Sequence, residues 1–291
     1  MNSQPLAEYP FQPRFFDLDG HRLAYLDEGQ GPVVVMVHGN PSWSYLYRNL
    51  VSGLRDRYRC IVPDHIGCGF SDKPQSYPYR LRTHIDNLER LLDHLGVERC
   101  TLVVHDWGGA IGMGWAGRHP ERVAGAVVLN TAAFCSRRIP LRIAVCRWPL
   151  IGPLLVRGLN GFAGAAVFMA VRKRLRPEVA KGFLAPYDSW RNRIAVLRFV
   201  EDIPMEADHP SWPTLVEVEQ SLARLRDMPL MLCWGGRDFC FNDSFYQEWR
   251  RRFPQAEAHY FLEAGHYVLE DGLEAISPLI EDFLHRAQEG P

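Results

Sequence analysis

Residues 103–109 read Val-Val-His-Asp-Trp-Gly-Gly, which places the carboxylate of Asp106 where a strand should turn sharply into a helix. Turns of this kind that carry a nucleophile usually hold a serine in the pattern G-x-S-x-G, which occurs nowhere in this sequence. A serine must lose a proton to attack, whereas a carboxylate is already ionised at neutral pH. It can displace a leaving group from saturated carbon and leave an ester for water to cleave. Unless it merely caps the helix, Asp106 argues against an ordinary esterase or lipase and for chemistry at an alkyl carbon or a strained ring.

His266 and Asp238 are the candidate partners of this carboxylate. His266 follows the last predicted strand and would take a proton from the water that attacks the ester of Asp106. Asp238 would hold the imidazole and stabilise its positive charge, although an aspartate in such a glycine-rich segment can also be a simple turn residue. Two other positions compete with Asp238. Asn130 follows the sixth predicted strand but is neutral, and Asp243 lies at a predicted helix start, so Asp238 is the preferred acid.

Asn40 and Trp107 are candidate donors for a leaving group. Their amide and indole N–H groups are neutral donors that can stabilise a departing halide or carboxylate in a dry pocket, and a backbone N–H near each could form an oxyanion hole. Core packing for Trp107 and a turn before Pro41 for Asn40 are the alternative roles. Ser71 lies in a glycine-rich turn with no strand leading into it, which predicts a structural role.

Strands and helices must alternate along the chain to position these residues. Ile85, Leu88 and Leu92 repeat at helical spacing before Gly96, and a further helix is predicted over 274–285. The alternation predicts a mostly parallel, doubly wound α/β sheet. Its eight predicted strands are 14–18 and 22–27, which form a hairpin, then 33–37, 59–62, 100–104, 123–129, 230–234 and 258–262.

The strand pattern stops after Asn130 and resumes at Leu230. We interpret this gap as a helical cap, or lid, over residues 133–218, inserted after the sixth strand. The core domain would then comprise residues 1–132 and 219–291. In an open α/β sheet, sites form beyond the carboxyl ends of the strands. Five candidate residues follow predicted strand ends, and their convergence supports one active site at this edge: Asn40, Asp106, Asn130, Asp238 and His266.

Five motifs also occur in an order that resembles a known family. They are His38-Gly39-Asn40-Pro41, Gly67-x-Gly69-x-Ser71-Asp72-Lys73-Pro74, His105-Asp106-Trp107-Gly108-Gly109, Gly236-Arg237-Asp238 and Gly265-His266. Across nearly its whole length outside the lid, the chain resembles the haloalkane dehalogenases of the α/β-hydrolase superfamily. Finer details resemble their least-studied third subfamily and the related β-lactone decarboxylases of long-chain olefin synthesis; these details are residues 63–69, 238–241 and 265–271.

The resemblance implies hydrolytic dehalogenation as the first expectation. Asp106 would displace halide from a small apolar haloalkane, and water activated by His266 would release the alcohol, with no cofactor or metal. The alternative is decarboxylation of a long-armed β-lactone by the same Asp106, His266 and Asp238. An epoxide hydrolase would place two tyrosines in the lid, which holds only Tyr187. A non-enzymatic receptor would be expected to lack a nucleophile, base or acid, and all three are present.

Composition restricts the remaining partners. The net charge of −1 gives no bias toward nucleic acid, and seven scattered cysteines without a C-x-x-C pair are typical of reduced thiols. Residues 1–13 show no signal peptide, so we expect a cytoplasmic location. Residues 134–200 carry thirteen Arg or Lys and only Glu178 and Asp188 as acids. This basic lid is either a solvated face or a contact with an anionic membrane or an acidic partner. The sequence leaves open whether the protein forms a homo-oligomer.

Overall fold

A sheet of eight strands forms the centre of the structure, a computed structural model that describes residues 6–289. The termini of the predicted core domain, 1–5 and 290–291, lie outside the described residues. The strands are β1 Arg14–Leu18, β2 His21–Glu28, β3 Val33–Val37, β4 Arg59–Pro63, β5 Cys100–Asp106, β6 Val123–Thr131, β7 Leu230–Gly235 and β8 Glu257–Phe261. Their order is β1-β2-β4-β3-β5-β6-β7-β8. β2 pairs antiparallel with β1 and β4, and all later pairs are parallel, which confirms the predicted sheet.

Helices connect the parallel strands and fill the gap between β6 and β7. They are α1 Arg48–Leu54, α2 Leu81–His94, α3 Trp107–Arg118, α4 Leu141–Val145, α5 Ile151–Pro153, α6 Gly161–Met169, α7 Pro177–Leu184, α8 Ile194–Glu201, α9 Trp212–Ser221, α10 Asp243–Arg252 and α11 Val268–Glu289. A π-helical turn, Leu154–Gly158, continues α5. Helices α4 to α9 form the insertion after the sixth strand, and its predicted limits of 133 and 218 stay predictions.

Each face of the sheet is buried in its own core, as a doubly wound fold requires. Val35 and Val37 of β3 point into the core that α2 and α3 cover, whereas Val34 and Met36 point into the core that α1 and α11 cover. All residues of β5 and β6 are buried, so these strands have apolar contacts on both faces. The nucleophile candidate therefore stands at the end of one of the most deeply buried strands.

The final helix begins earlier than the sequence predicts. We expected a start near residue 274, but α11 begins at Val268, two residues after His266, and continues through Gly272 and Pro278. Asp271 in its first turn accepts the Gly265 backbone N–H at 2.7 Å, which anchors the chain where it enters the helix. The predicted start is therefore wrong. Gly272 lies inside the helix instead of before it, because the buried hydrogen bond between Asp271 and Gly265 fixes the first turn of α11.

Four buried histidines lie behind the carboxyl edge of the sheet. His38, His65, His84 and His105 are each at most 3% exposed. Burial lowers the pKa of every one of them, to about 3 for His38. They are therefore neutral in the folded protein at pH values where an exposed histidine binds a proton.

We predict that replacing His84 with Phe makes the protein less sensitive to acid. An unfolded histidine binds a proton near pH 6.5, so the stability from a buried neutral one is complete above that pH and is lost as the pH falls toward the lower folded pKa. Each such histidine adds about 1.4 kcal/mol per pH unit to the slope of unfolding free energy. Phenylalanine keeps the stack on Phe199, whose ring centroid lies 4.5 Å away. Urea unfolding at several pH values measures the slope, and equal slopes for both proteins would contradict the prediction.

Candidate active site

Asp106 occupies a strained turn between β5 and α3. Its φ of 52° and ψ of −127° are unusual for a residue with a side chain, and they lift the carboxylate out of the sheet edge. Glycines make room for this turn: a Cβ on Gly39 would overlap the Asp106 carboxylate, and one on Gly108 would overlap the Val37 carbonyl. The Thr131 hydroxyl donates to the Asp106 carbonyl from the neighbouring strand. The predicted strand–turn–helix geometry is therefore present at the predicted residue.

Two backbone N–H groups bind the carboxylate of Asp106. The Asn40 N–H donates to its Oδ1 at 2.6 Å, and the Trp107 N–H is a second backbone partner. Burial raises the pKa of Asp106 above its ordinary value, while His266 and these two N–H groups act in the opposite direction. In an ester of Asp106, the same donors would face its carbonyl oxygen. They are thus placed to stabilise an oxyanion.

His266 lies between the two predicted acids. Its Nδ1 is 2.8 Å from Asp238 Oδ2, and its Nε2 is 3.7 Å from Asp106 Oδ2. Burial lowers the pKa of His266, but the carboxylates of Asp238 and Asp106 outweigh burial and raise the pKa above its ordinary value. The structure therefore brings all three predicted residues together, in an arrangement that can move a proton at Nε2.

Asn130 supports Asp238 and does not replace it. The Asn130 Nδ2 donates to Asp238 Oδ2 at 3.0 Å, and its Oδ1 accepts the Gly235 N–H at 2.7 Å. The Cys240 N–H donates to Asp238 Oδ1 at 2.6 Å. Asp243, the weaker candidate acid, instead accepts the Tyr260 hydroxyl at 2.5 Å on an exposed part of the surface. Asp238 is thus the acid in contact with the imidazole.

Asn40 and Trp107 both line a cavity beside Asp106, as predicted. The Asn40 Nδ2 already donates to the Val196 carbonyl at 3.1 Å, so only its second amide hydrogen is left for a leaving group. The buried Oδ1 of Asn40 has no hydrogen-bond partner among the described residues. The Trp107 ring packs against Phe199 with centroids 5.4 Å apart. Both side chains therefore line the cavity, and one amide hydrogen of Asn40 is already bonded to α8.

Asp271 is a positioning residue that the sequence reasoning missed. Its carboxylate accepts the backbone N–H groups of Gly265, Arg172 and Lys173 at 2.7, 2.9 and 2.8 Å. It therefore ties the turn that carries His266 to the insertion. The segment 265–271 stood out in the sequence only as a resemblance, and no local pattern shows that Asp271 reaches residues about a hundred positions earlier.

Two cavities meet at Asp106. One, of about 130 Å³, runs along α8 and α9, and we call it the α8 branch. The other, of about 140 Å³, runs along α6 to His266, and we call it the α6 branch. The shared lining is Asn40, Asp106, Ile143, Phe162 and Cys240. The α8 branch adds mostly apolar side chains, among them Leu81, Phe134, Val200, Ile203, Leu215 and Phe245. The α6 branch adds Cys146, Ala165, Ala166, Met169 and Phe239.

Known proteins share this sequence and fold. The family described as alpha/beta hydrolase fold matches residues 32–151. The chain is 47% identical to the cis-3-alkyl-4-alkyloxetan-2-one decarboxylase of Shewanella oneidensis, over 94% of this chain and 89% of the other. It is 31% identical to haloalkane dehalogenase 2 of Mycobacterium tuberculosis, over 94% of both chains.

The solved structure of haloalkane dehalogenase DbeA from Bradyrhizobium elkani is similar in fold. It superposes with a TM-score of 0.88 at 25% identity and covers 97% of this chain and 100% of its own. The strained turn at Asp106, the insertion after β6 and the sequence relatives all indicate the same family. The chain therefore belongs to the α/β-hydrolase family, in the group that holds the haloalkane dehalogenases and the cis-3-alkyl-4-alkyloxetan-2-one decarboxylases.

Proposed function

We propose that this protein decarboxylates β-lactones that carry two cis alkyl arms and releases an alkene and CO₂. The observation that carries this proposal is the pair of apolar branches that meet at the carboxylate of Asp106. The similarity to a decarboxylase at 47% identity, against 31% for a dehalogenase, also supports it. The sequence alone favoured the dehalogenase, with the decarboxylase second, so the proposal reverses that order.

The two branches suit the shape of such a lactone. Its alkyl groups stand on adjacent ring carbons, C3 and C4, so two chains leave the reacting centre in different directions. A linear haloalkane has one chain and needs one branch. Apolar side chains line most of both branches, which lets each alkyl arm leave water on binding.

In the first step, Asp106 attacks C4 from the side opposite the ring oxygen. The Oδ–C4 bond forms while the C4–O bond breaks, and the ring oxygen keeps the electron pair as part of a carboxylate on C3. This is the same displacement at saturated carbon that would expel a halide. The free amide hydrogen of Asn40 and the indole N–H of Trp107 are donors at the same cavity, and we assign them to the departing carboxylate.

In the second step, the electron pair of the C3–CO₂ bond forms the C3=C4 double bond. The bond from C4 to Asp106 breaks at the same time, so CO₂ leaves and the carboxylate of Asp106 is restored. Inversion in the first step followed by anti elimination in the second converts a cis lactone into a cis alkene. No water and no net proton are consumed, so His266 acts here as a charge partner of the buried acids.

Hydrolytic dehalogenation is the second candidate, and the position of His266 favours it. Its Nε2 stands 3.7 Å from Asp106 Oδ2 with Asp238 behind it, as a base for ester hydrolysis requires. An alkyl ester without a neighbouring carboxylate cannot lose CO₂ and must wait for water. Epoxide opening is not proposed, because the hydroxyl of Tyr187, fully buried, donates to the Ser42 carbonyl at 3.3 Å.

A paired product assay tests the proposal directly. We expect rapid alkene formation from a long-chain cis-β-lactone, measured by gas chromatography. We expect slow bromide release from 1-bromohexane. Asp106→Ala should reduce both by about a thousandfold or more, because both begin with attack by this carboxylate. Bromide release that depends on Asp106, without any alkene, would overturn the proposal and favour the dehalogenase.

His266→Gln should separate the two reactions. With 1-bromohexane we expect one bromide per enzyme and a hexyl ester that persists on Asp106, because hydrolysis needs the base. With the lactone we expect continued turnover at a reduced rate, because decarboxylation consumes no water. Intact-protein mass spectrometry identifies the ester, and the bromide burst shows that the variant is folded. A lactone adduct that accumulates and stops turnover would contradict the proposed second step.

Filling either branch should harm long-armed lactones alone. Ile203→Trp narrows the α8 branch and Ala166→Phe narrows the α6 branch. We expect each to lower kcat/KM for the long-armed lactone by about tenfold or more, since each removes room for one arm. Turnover of 3,4-dimethyl-oxetan-2-one should change little and serves as the control. If only one variant affects the long-armed lactone, the two branches do not hold separate arms.

A further inference from the structure

We infer that helices α4–α6 dock on an anionic lipid bilayer and open the α6 branch toward it. The inference starts from exposed apolar side chains. Among residues 6–287, twelve large apolar side chains are exposed, and nine of them lie between residues 141 and 190. We call these nine the apolar surface; they are Leu141, Trp148, Leu150, Ile151, Leu154, Leu159, Phe168, Met169 and Trp190. Leu150 is 86% and Leu141 77% exposed, which is unusual for leucine in a folded domain.

Backbone and side-chain contacts join the parts of the apolar surface. The Gly152 N–H donates to the Trp148 carbonyl at 2.8 Å and links α4 to α5. The Arg157 guanidinium donates to the Trp190 carbonyl at 3.0 Å, and its carbon lies 4.5 Å from the centre of the Trp190 ring. These contacts hold Trp148 beside the start of α5, and they hold Trp190 beside Leu154 and the π-helical turn.

The charge around this surface is mostly positive, and the acids within its span are Glu178 and Asp188. Residues 134–177 contain nine Arg or Lys and no Asp or Glu. Seven of these cations are exposed; Arg176 pairs with Glu8 and Glu178, and the other six form no ion pair with another described residue. They are Arg137, Arg138 and Arg142 before α5, and Arg172, Lys173 and Arg174 after α6. Cations at both ends of an exposed apolar segment are the pattern of a helix that lies in the membrane interface.

The helix geometry fits an interfacial position. No single helix among the described residues is long and apolar enough to cross a bilayer. Ile151–Gly158 and Gly161–Met169 meet that test only as a pair, and the pair is bent by 64°. A bent apolar helix pair, with exposed tryptophans at Trp148 and Trp190, can bury its leucines in the acyl boundary while both indoles stay at headgroup level.

Helix α6 connects this surface to the active site. Phe162, Ala165 and Ala166 line the α6 branch, while Phe168 on the same helix is 68% exposed. Met169 belongs to both, since it lines the branch and is 37% exposed. A substrate with long alkyl arms partitions into lipid, so a bilayer under α6 would supply it without passage through water.

A bilayer suits these features better than a protein partner. A protein interface usually combines an apolar core, closely matched in shape to its partner, with a polar rim. Here leucines that are more than half exposed stand in a segment whose cations far outnumber its exposed acids, Glu178 and Asp188. Lipid needs no matching shape, and its anionic headgroups match the six unpaired cations.

Vesicle sedimentation of the full chain tests the inference without any substrate. We expect binding to vesicles that contain phosphatidylglycerol, little binding to pure phosphatidylcholine, and release by high salt. Leu150→Ser with Leu154→Ser should weaken binding by about tenfold or more, since both side chains would leave the acyl boundary. Arg172→Gln, Lys173→Gln and Arg174→Gln together should weaken it by about a hundredfold, or roughly fivefold per cation.

Matched substitutions elsewhere provide the controls. Phe15→Ser removes an exposed apolar side chain from β1, and Arg99→Gln with Arg226→Gln and Arg250→Gln removes three exposed cations that also form no ion pair with another described residue. Both controls should bind like the wild type.

Absence of binding to every vesicle would overturn the inference, as would binding that both test variants retain. Light scattering gives a further outcome. If the protein binds no vesicles but forms a dimer, and only Leu150→Ser with Leu154→Ser dissociates that dimer, the apolar surface is a contact with a second copy of the chain. Turnover of 3,4-dimethyl-oxetan-2-one tests the proposed function separately and should stay unchanged in both test variants.

Discussion

The structure depends on keeping the carboxylate of Asp106 ionised in a cavity that is mostly apolar. Burial opposes the charge and raises the pKa of Asp106, so the surrounding groups must compensate. The N–H groups of Asn40 and Trp107 do so from the β3 and β5 ends, and the imidazole of His266 does so from the β8 end. Four strand ends, including that of β6 through Thr131, must therefore be held at fixed distances. Only the buried, doubly wound sheet provides that rigidity.

The imidazole of His266 is also held by its neighbours: burial lowers its pKa, and the carboxylates of Asp238 and Asp106 raise it. Asp238 faces the imidazole at 2.8 Å, and Asn130 and the Cys240 N–H hold both oxygens of that carboxylate. The neutral Asn130 near the end of β6 thus suits this place: a second acid beside Asp238 would repel it, whereas an amide donates to it. Asp271 then fastens the histidine turn to the insertion. The cavity walls and the candidate catalytic groups are consequently parts of one hydrogen-bonded framework.

Local sequence signals predicted most of the fold and the residues that meet at the site. The turn at Asp106 between β5 and α3 and the strands that lead to the site are short-range patterns. The structure has each of them at or within two residues of the predicted place. The misses are long-range. The bond between Asn40 and the Val196 carbonyl spans 156 residues, and Asp271 reaches back to Arg172. Neither leaves a periodicity or a spacing in the sequence. The same holds for the two branches, which arise only when α6 and α8 pack over Asp106.

The candidate catalytic residues by themselves do not choose between the two proposed reactions, decarboxylation and dehalogenation. Both reactions begin with displacement at saturated carbon by Asp106, and they diverge only at the alkyl ester. If the carbon next to the ester bears a carboxylate, loss of CO₂ can expel Asp106 before water arrives. If it does not, His266 must activate water. The substrate that fits the cavity therefore decides the outcome, which is why two apolar branches along α6 and α8 carry more functional information here than the Asp-His-Asp arrangement itself.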